Sequence, residues 1–311
     1  MTKFGLIGNP ITKSLSPALF KAGYNGKYRY DLIEGNIFEK SWIRFLEEYK
    51  GINVTAPFKE EAFNQAIALA KDGLGTVSGP CYKIRATNLL IKTEKGIEAY
   101  NSDFTGIILS VAETLFPGLV RQCYNIFGLK GYIKVHQFVK QNLLSQYKQQ
   151  PQALIVGCGG AGRAAAVAAA EMGFSTVVMN RTPDKAKKLA TELPEYGFIA
   201  DPINDFRAAL AECDLIIYTL PIRLPEIDSL SEADYKGEEN GTTKIIMEAN
   251  YKTPAFGETP YMTSGSGCRY VSGLNWLLYQ AVTGYGILCG EQPDIEAMTA
   301  VLYQNERSLP L

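Results

Sequence analysis

Histidine is almost absent from this chain: its 311 residues hold one, His136. A Ser-His-Asp triad or a multi-histidine metal site would have to be built on that residue. It sits in a polar, helix-patterned stretch, YIKVHQFVKQNLLSQYKQQ, where a surface position suits it better. Acid–base chemistry must then come from Lys, Asp, Glu, Tyr or Cys, and no metal is expected. Net charge is nearly absent too, −1 from 31 basic and 32 acidic residues, so there is no electrostatic footprint for nucleic acid or an anionic membrane. No apolar run reaches the ~20 residues that a bilayer requires; the alanine-rich stretch is preceded by Arg163 and interrupted by Glu171 and Gly173. The apolar part of MTKFGLIGNP is too short for a signal peptide. Cys81, Cys123, Cys158, Cys213, Cys268 and Cys289 form no C-x-x-C pair. That pattern suits reduced thiols in the cytoplasm rather than a disulfide frame or a zinc site. The length makes two domains the starting expectation.

What is present is organised around ALIVGCGGAGRAAAVAAAEMGFSTVVMN, Ala153 to Asn180. A short apolar run, Ala153 to Val156, reads as a buried parallel strand. A glycine turn follows, then a helix-favouring run from Ala164 to Met172 and a second apolar strand, Thr176 to Met179. The spacing Gly157-x-Gly159-x-x-Gly162, with Gly160 and Ala161 inside it, is that of a dinucleotide-binding βαβ unit. Glycines there let the backbone approach a pyrophosphate, and the helix N-terminus faces its charge. The competing explanation is a packing turn in an α/β domain that binds nothing. At the end of the second strand an NAD site carries Asp or Glu for the ribose. Here stand Asn180, Arg181 and Thr182, with no carboxylate to repel a 2′-phosphate and a guanidinium fork to hold one. NADP is therefore the cofactor expected. Thr182-Pro183 also suits the start of a helix, and both roles can hold together.

Around this unit the chain reads as alternating strands and helices. Phe4 to Ile7 is a strand, and Ser16 with Pro17 opens a helix, Ser16 as its N-cap. Tyr28 to Ile33 is a strand and Ser41 to Tyr49 an amphipathic helix. In GINVTAPFKEEAF, Ile52 and Val54 face one way and Asn53 and Thr55 the other. Pro57 ends that strand and a helix begins near Lys59, so Asn53, Thr55 and Lys59 gather at a strand's carboxyl end, where open α/β sheets bind ligands. Asn88 to Lys92 and Ile97 to Tyr100 form a hairpin about Thr93–Gly96. Asn101-Ser102-Asp103 leads into a helix from about Phe104, which Asp103 could cap. Gly118 to Pro151 reads as an elaboration between domains, with a turn at Gly128–Gly131. Beyond the glycine unit come further helices and strands and a polar stretch from Pro221 to Asn240. A strand from Ile245 to Met247 leads to Tyr251, and two last helices start at Gly273 and Asp294.

Several of these motifs together resemble the shikimate dehydrogenase family, in order and spacing, from the first strand to about Gly290. Ser14-Leu15-Ser16-Pro17 follows the family's S-x-S-P. Asn53 to Lys59 follows N-V-T-x-P-x-K. Asn88 stands before the hairpin, and Asn101-x-Asp103 matches N-T-D. The glycine loop and Asn180-Arg181-Thr182 match its NADP site, Tyr251 its tyrosine, and Gly273-Leu274 with Gln280-Ala281 its G-x-x-M-L-x-x-Q-A helix. The agreement outweighs the purely local explanations for Ser14, Ser16, Lys59 and Asp103. It implies an α/β fold: an N-terminal α/β substrate domain plus a Rossmann-type NADP-binding domain, with the C-terminal helices returning to the first. The boundaries it implies are 1–104 with 274–311, and 105–273, with the active site in the cleft between.

The reaction it implies is the reversible NADPH-dependent reduction of 3-dehydroshikimate to shikimate, in aromatic amino acid (chorismate) biosynthesis. The enzyme would be a cytoplasmic monomer or homodimer with no nucleic-acid or membrane partner. Lys59 would exchange the proton, and Asp103 would orient it and bind a ring hydroxyl. Ser14 and Ser16 would hold the carboxylate, and Asn88 and Gln280 ring hydroxyls. Asn53, Thr55 and Tyr251 would complete the substrate pocket. Thr219 and Gly273 join the glycine loop at the cofactor. Departures are Lys13 where the family has His, Phe20-Lys21 for its His-Asn, and Thr219-Leu220-Pro221 for its N-A-T-S/T loop. Trp276 stands for the Met that faces the nicotinamide, and the Gly118–Pro151 connection is long. The alternatives are a quinate or aminoshikimate dehydrogenase of the same family, or a non-catalytic sensor of a cyclic acid. The sensor sits badly with retention of both Lys59 and Asp103, since binding alone needs no proton donor.

Overall fold

Parallel pairing dominates both sheets of the chain. The computed structural model describes residues 1–147, 149–235, 243–257 and 267–306, in two units: Met1–Gly106 with Leu278–Leu311, and Ile107–Leu277. The first unit holds β1 (Lys3–Gly8), β2 (Arg29–Glu34), β3 (Gly51–Val54), β4 (Gly75–Val77), β5 (Leu89–Thr93) and β6 (Gly96–Tyr100). Their order in the sheet is β2-β1-β3-β5-β6-β4. β1 runs parallel to β2 and β3, β5 antiparallel to β3 and β6, and β4 parallel to β6. Parallel neighbours need a crossover, and the helices Ser16–Gly23 and Phe38–Glu48 provide the first two. Phe38, Ser41, Trp42 and Phe45 recur at helical spacing and are the buried face of the second. The three aromatic residues join Ile7, Ile33, Ile52, Val54 and Leu90 in one core. The β5–β6 hairpin turns at Gly96, whose φ is +100° and where a Cβ would lie 2.0 Å from the Leu74 carbonyl oxygen. Only glycine fits there. The helix Ile295–Glu306 packs on Ser16–Gly23, with Met298 against Gly23.

The second unit holds β7 (Gln152–Val156), β8 (Ser175–Met179), β9 (Ile199–Asp201), β10 (Leu215–Tyr218), β11 (Lys244–Glu248) and β12 (Cys268–Val271). The order is β12-β11-β10-β7-β8-β9, and every pair is parallel. This is the doubly wound order, with its switch point between β7 and β10, where such sheets bind nucleotides. β10 and β11 are buried along their whole length, as strands covered on both faces must be. Among the described residues no helix is long and apolar enough to cross a membrane.

The elements expected from the sequence agree except at several ends, while the strands Gly75–Val77 and Cys268–Val271 and the helix Gly79–Ile84 were not expected. Leu15, not Ser16, is the N-cap of Ser16–Gly23, and no side chain caps it. The Ser16 N–H instead donates to Ser14 Oγ at 3.2 Å, so the earlier serine does the local work. The helix expected from Phe104 begins at Ser102. Asn101 Oδ1 accepts from the Phe104 N–H at 3.1 Å, which makes Asn101 the capping side chain and leaves Asp103 in the first turn. Thr182 precedes Pro183–Glu192 without a side-chain cap bond. The segment after Gly118 forms helices Leu119–Phe127 and Gly131–Asn142 around a short turn. Two short helices, Pro225–Asp228 and Glu232–Tyr235, lie in the polar stretch, whose last residues, 236–240, fall outside the described ones.

Candidate active site

β3 places the first chemical group. The Thr55 N–H continues the ladder to the Ile7 carbonyl at 2.8 Å, and the Phe58 N–H turns back to Thr55 at 3.0 Å. The chain then enters the helix Lys59–Lys71, so Lys59 stands one turn past the carboxyl end of β3. Asp103 lies in the first turn of Ser102–Leu115, just after β6, a position the helix dipole favours for an acid. Lys59 Nζ donates to Asp103 Oδ2 at 2.6 Å, with the side chains 16% and 6% exposed. An ammonium has three N–H donors, so holding Asp103 leaves others for a ligand. The pair is a fixed, partly dry proton donor with its own counter-charge.

Beside it lies a connected polar network. Asn88 is buried: Nδ2 donates to Ser102 Oγ at 3.1 Å and to Gln280 Oε1 at 3.4 Å. Its Oδ1 accepts from the Ser102 N–H at 2.7 Å. The second contact orients Gln280 with Nε2 turned away from Asn88. Asn53 Oδ1 accepts from the Tyr30 hydroxyl at 2.9 Å, and Asn53 Nδ2 donates to the Asn88 carbonyl oxygen at 3.4 Å. The Ser14 and Ser16 hydroxyls meet at 3.1 Å. Gly284 lets the returning helix come close, since a Cβ there would be 3.0 Å from Ser102 Oγ. Thr55 is half-buried beside Gly8.

The first unit thus joins Lys59 to Asp103, Ser14 to Ser16, and Asn53 to Asn88 and Gln280. Sequence reasoning missed three members: Ser102, Tyr30 and Tyr285. Ser102 was legible as the middle residue of Asn101-x-Asp103. For the tyrosines there was no local signal, because their partners lie far away along the chain.

The second unit holds the glycine turn. Gly157 has φ +106°, and a Cβ there would lie 2.3 Å from Thr219 Oγ1. At Gly162 a Cβ would overlap the Gly157 carbonyl oxygen at 1.8 Å. Those two glycines are required by the protein itself. At Gly159 a Cβ would meet nothing within 4 Å. It is the N-cap of Gly160–Met172, so Gly160, Ala161 and Gly162 present a helix N-terminus to open space, the setting a pyrophosphate needs. Asn180 Oδ1 accepts from the Cys158 N–H at 3.1 Å, and Asn180 Nδ2 donates to the Thr182 carbonyl at 3.0 Å. Asn180 therefore ties the glycine turn to the end of β8. Thr219 Oγ1 donates to the Val156 carbonyl at 2.9 Å. Arg181 and Thr182 are exposed, and the residues fit a dinucleotide carrying a 2′-phosphate. Burial pushes the Cys158 thiol up to about 11, which leaves it protonated and chemically quiet. Gly273 sits tight on the end of β11, its Cβ position 2.6 Å from the Ala249 carbonyl oxygen. Tyr251 is half-buried in the loop after β11, with the Lys252 ammonium 5.8 Å from its ring centre.

Comparison with known proteins gives two family matches. Residues 6–73 match the shikimate dehydrogenase substrate binding domain, and residues 139–230 match shikimate / quinate 5-dehydrogenase. The shikimate dehydrogenase (NADP(+)) of Carboxydothermus hydrogenoformans is 26% identical over 305 residues, which is 94% of each chain. That of Aeropyrum pernix is 28% identical over 316 residues, 97% of each chain. The fold is similar to the crystal structure of shikimate 5-dehydrogenase from Thermus thermophilus in complex with NADP(H) and shikimate. That likeness has a TM-score of 0.69 at 22% identity and covers 96% of this chain and 97% of the other.

Proposed function

The chain belongs to the shikimate dehydrogenase family, and on that premise we propose that it catalyses the reversible NADPH-dependent reduction of 3-dehydroshikimate to shikimate. The observation that carries the proposal is the Lys59–Asp103 pair, 2.6 Å apart and largely buried, beside a polar network in the same unit. A binding module has no need of such a pair.

When bound, the cofactor supplies the hydride; the rest falls to the chain's own residues. Lys59 delivers a proton to the substrate oxygen during reduction and removes one during oxidation. Asp103 holds the ammonium in place and accepts from a ring hydroxyl. Ser14 and Ser16 donate to the carboxylate. Gln280 offers Nε2 to a ring hydroxyl, and the long 3.4 Å bond from Asn88 to Gln280 is the one that a hydroxyl can replace. Asn53 and Thr55 complete the first unit's part of the site, and Tyr251 is the second unit's candidate for the substrate. The Gly157–Gly162 turn receives the pyrophosphate, and Arg181 with Thr182 the 2′-phosphate. Asn180, Thr219 and Gly273 act through the shape of the backbone around them.

The proposal includes a cytoplasmic location, supported by six cysteines that form no disulfide, and a place in chorismate biosynthesis. It leaves the chain a monomer or a homodimer. Initial rates with shikimate and quinate, each with NADP and NAD, test it. The highest kcat/KM is expected for shikimate with NADP. A higher value for quinate would move the assignment within the family. NADP binding without turnover of either acid would leave a sensor.

A further inference from the structure

Two tyrosines stand behind the serine pair. Tyr30 comes from β2, and Tyr285 from the helix Gly273–Cys289. Both pack on Phe20, with ring centres 4.6 and 4.8 Å away, and on each other at 5.8 Å. Their hydroxyls reach the proposed substrate groups. Tyr285 donates to the Ser16 carbonyl oxygen at 3.1 Å, and Tyr30 bonds Asn53 Oδ1 at 2.9 Å.

The direction of the bonds can be worked out. The Asn88 carbonyl oxygen only accepts, so the Asn53 group facing it at 3.4 Å must be Nδ2. Oδ1 then faces Tyr30, and Tyr30 must be the donor. A phenol has one proton, and Tyr30 gives it to Asn53. Ser14 Oγ donates to Ser16 Oγ at 3.1 Å. Burial, then the neighbouring Tyr285, pushes the Tyr30 phenol well above its ordinary range, so it remains a neutral donor.

We propose that Tyr30 and Tyr285 are positioning residues, a hydroxyl relay that fixes Ser16 and Asn53 so that Asn53 meets the substrate as a donor through Nδ2. Tyr30 holds Asn53 in that orientation, while Tyr285 keeps the Ser16 backbone still. This deepens the proposed function and rests on its assignment of Ser16 and Asn53 to the substrate. The relay favours ligands with an acceptor opposite Asn53 and disfavours those with a donor there.

Tyr30→Phe and Tyr285→Phe keep the rings on Phe20 and remove one hydroxyl each. For each, the KM for shikimate is expected to rise about five- to ten-fold, the range set by one lost neutral hydrogen bond. The kcat and the KM for NADP should stay within about two-fold. In an Asn53→Ala background, Tyr30→Phe should add nothing further, because its effect passes through Asn53. An unchanged KM in both variants, or full additivity with Asn53→Ala, overturns the proposal. A second measurement needs no substrate: the side-chain amide NMR signal of Asn53, identified by its loss in Asn53→Asp. Tyr30→Phe should shift it and speed its exchange with water while the β3 backbone amides stay put; an unmoved signal refutes the relay. If the wild type does not turn over shikimate but the Asn53 signal moves, the functional assignment falls and the relay stands. If the wild type turns over shikimate and both variants match it, the relay falls and the function stands.

Discussion

Lys59→Ala tests the chemical step most directly. The 2.6 Å contact between Lys59 and Asp103 gives the change two separable consequences. The first is kinetic. If Lys59 exchanges the proton as proposed, its interaction is made in the transition state, and its loss lowers kcat and kcat/KM together. Positioned acid–base groups contribute about 10²- to 10⁴-fold, or roughly 3–5 kcal/mol of barrier. The second is thermodynamic. Asp103, 6% exposed, is left as an uncompensated charge, at a cost of up to about 3 kcal/mol. At roughly 2–4 °C per kcal/mol that is several degrees in Tm. Adding Asp103→Asn to Lys59→Ala removes the stranded charge. The double variant should regain much of the lost Tm and none of the lost turnover. Steady-state shikimate oxidation, a direct NADP titration and thermal unfolding on the wild type and both variants give the answer. A Lys59→Ala enzyme within a few-fold of wild-type kcat would mean that another group donates the proton. Turnover that recovered together with Tm in the double variant would show the loss to be structural.

Arg181→Ala should raise the KM for NADP about ten- to a hundred-fold and that for NAD little, as a lost charged hydrogen bond of roughly 1.5–3 kcal/mol requires; equal effects on both cofactors would remove Arg181 from the 2′-phosphate. Ser14→Ala combined with Ser16→Ala should weaken shikimate binding by calorimetry and leave NADP affinity intact; unaltered binding would put the carboxylate elsewhere. Asp234 provides a pH test: burial would raise its carboxyl, but bonds from Arg207 and Ser231 outweigh that and hold it at about 2. A depressed folded-state pKa gives stability that is present above the unfolded value near ~3.9 and lost as pH falls towards 2. At most about 2–3 kcal/mol is at stake, at 1.36 kcal/mol per pKa unit. Acid unfolding of Arg207→Ala should begin at higher pH than in the wild type, and coincident curves would count against the pair.

Local chemistry made much of this molecule legible in its sequence. The glycine turn could be read because each required glycine has a nearby cause: Gly162 against the Gly157 carbonyl, Gly157 against Thr219. Lys59 could be placed because alternation along Gly51–Val54 and the break at Pro57 fix where β3 stops. Misplaced ends had local competitors. Asn101 outcompeted Asp103 as a cap because its Oδ1 reaches the Phe104 N–H, and Ser14 replaced Ser16 in the same way. What could not be read was partnership over distance. Asn88 and Gln280 lie 192 residues apart, and Tyr285 and Ser16 lie 269 apart. Nothing in either neighbourhood announces the other until the last helices return to the first sheet.

The polarity of the substrate pocket follows from those distant pairings. An isolated asparagine or glutamine side chain offers both a donor and an acceptor and selects for neither. Here each amide oxygen already has a donor, Tyr30 on Asn53 Oδ1, Ser102 on Asn88 Oδ1 and Asn88 on Gln280 Oε1, which fixes the orientation of each amide. Asn53 and Gln280 are left with N–H groups to offer, and Lys59, Ser14 and Ser16 add donors of their own. Asp103 is the acceptor among them. Such a wall suits a ligand with a carboxylate and a carbonyl, both acceptors, and few donors to accommodate. It suits the ketone more than the alcohol at the reacting carbon, since reduction converts an acceptor into a hydroxyl whose proton needs a partner. In this arrangement the Asp103 carboxylate can receive that proton's hydrogen bond, and its 2.6 Å contact with Lys59 keeps it beside the nitrogen proposed to deliver the proton. On the proposed mechanism the pair accommodates the reaction in both directions with one change of hydrogen-bond polarity at the carboxylate.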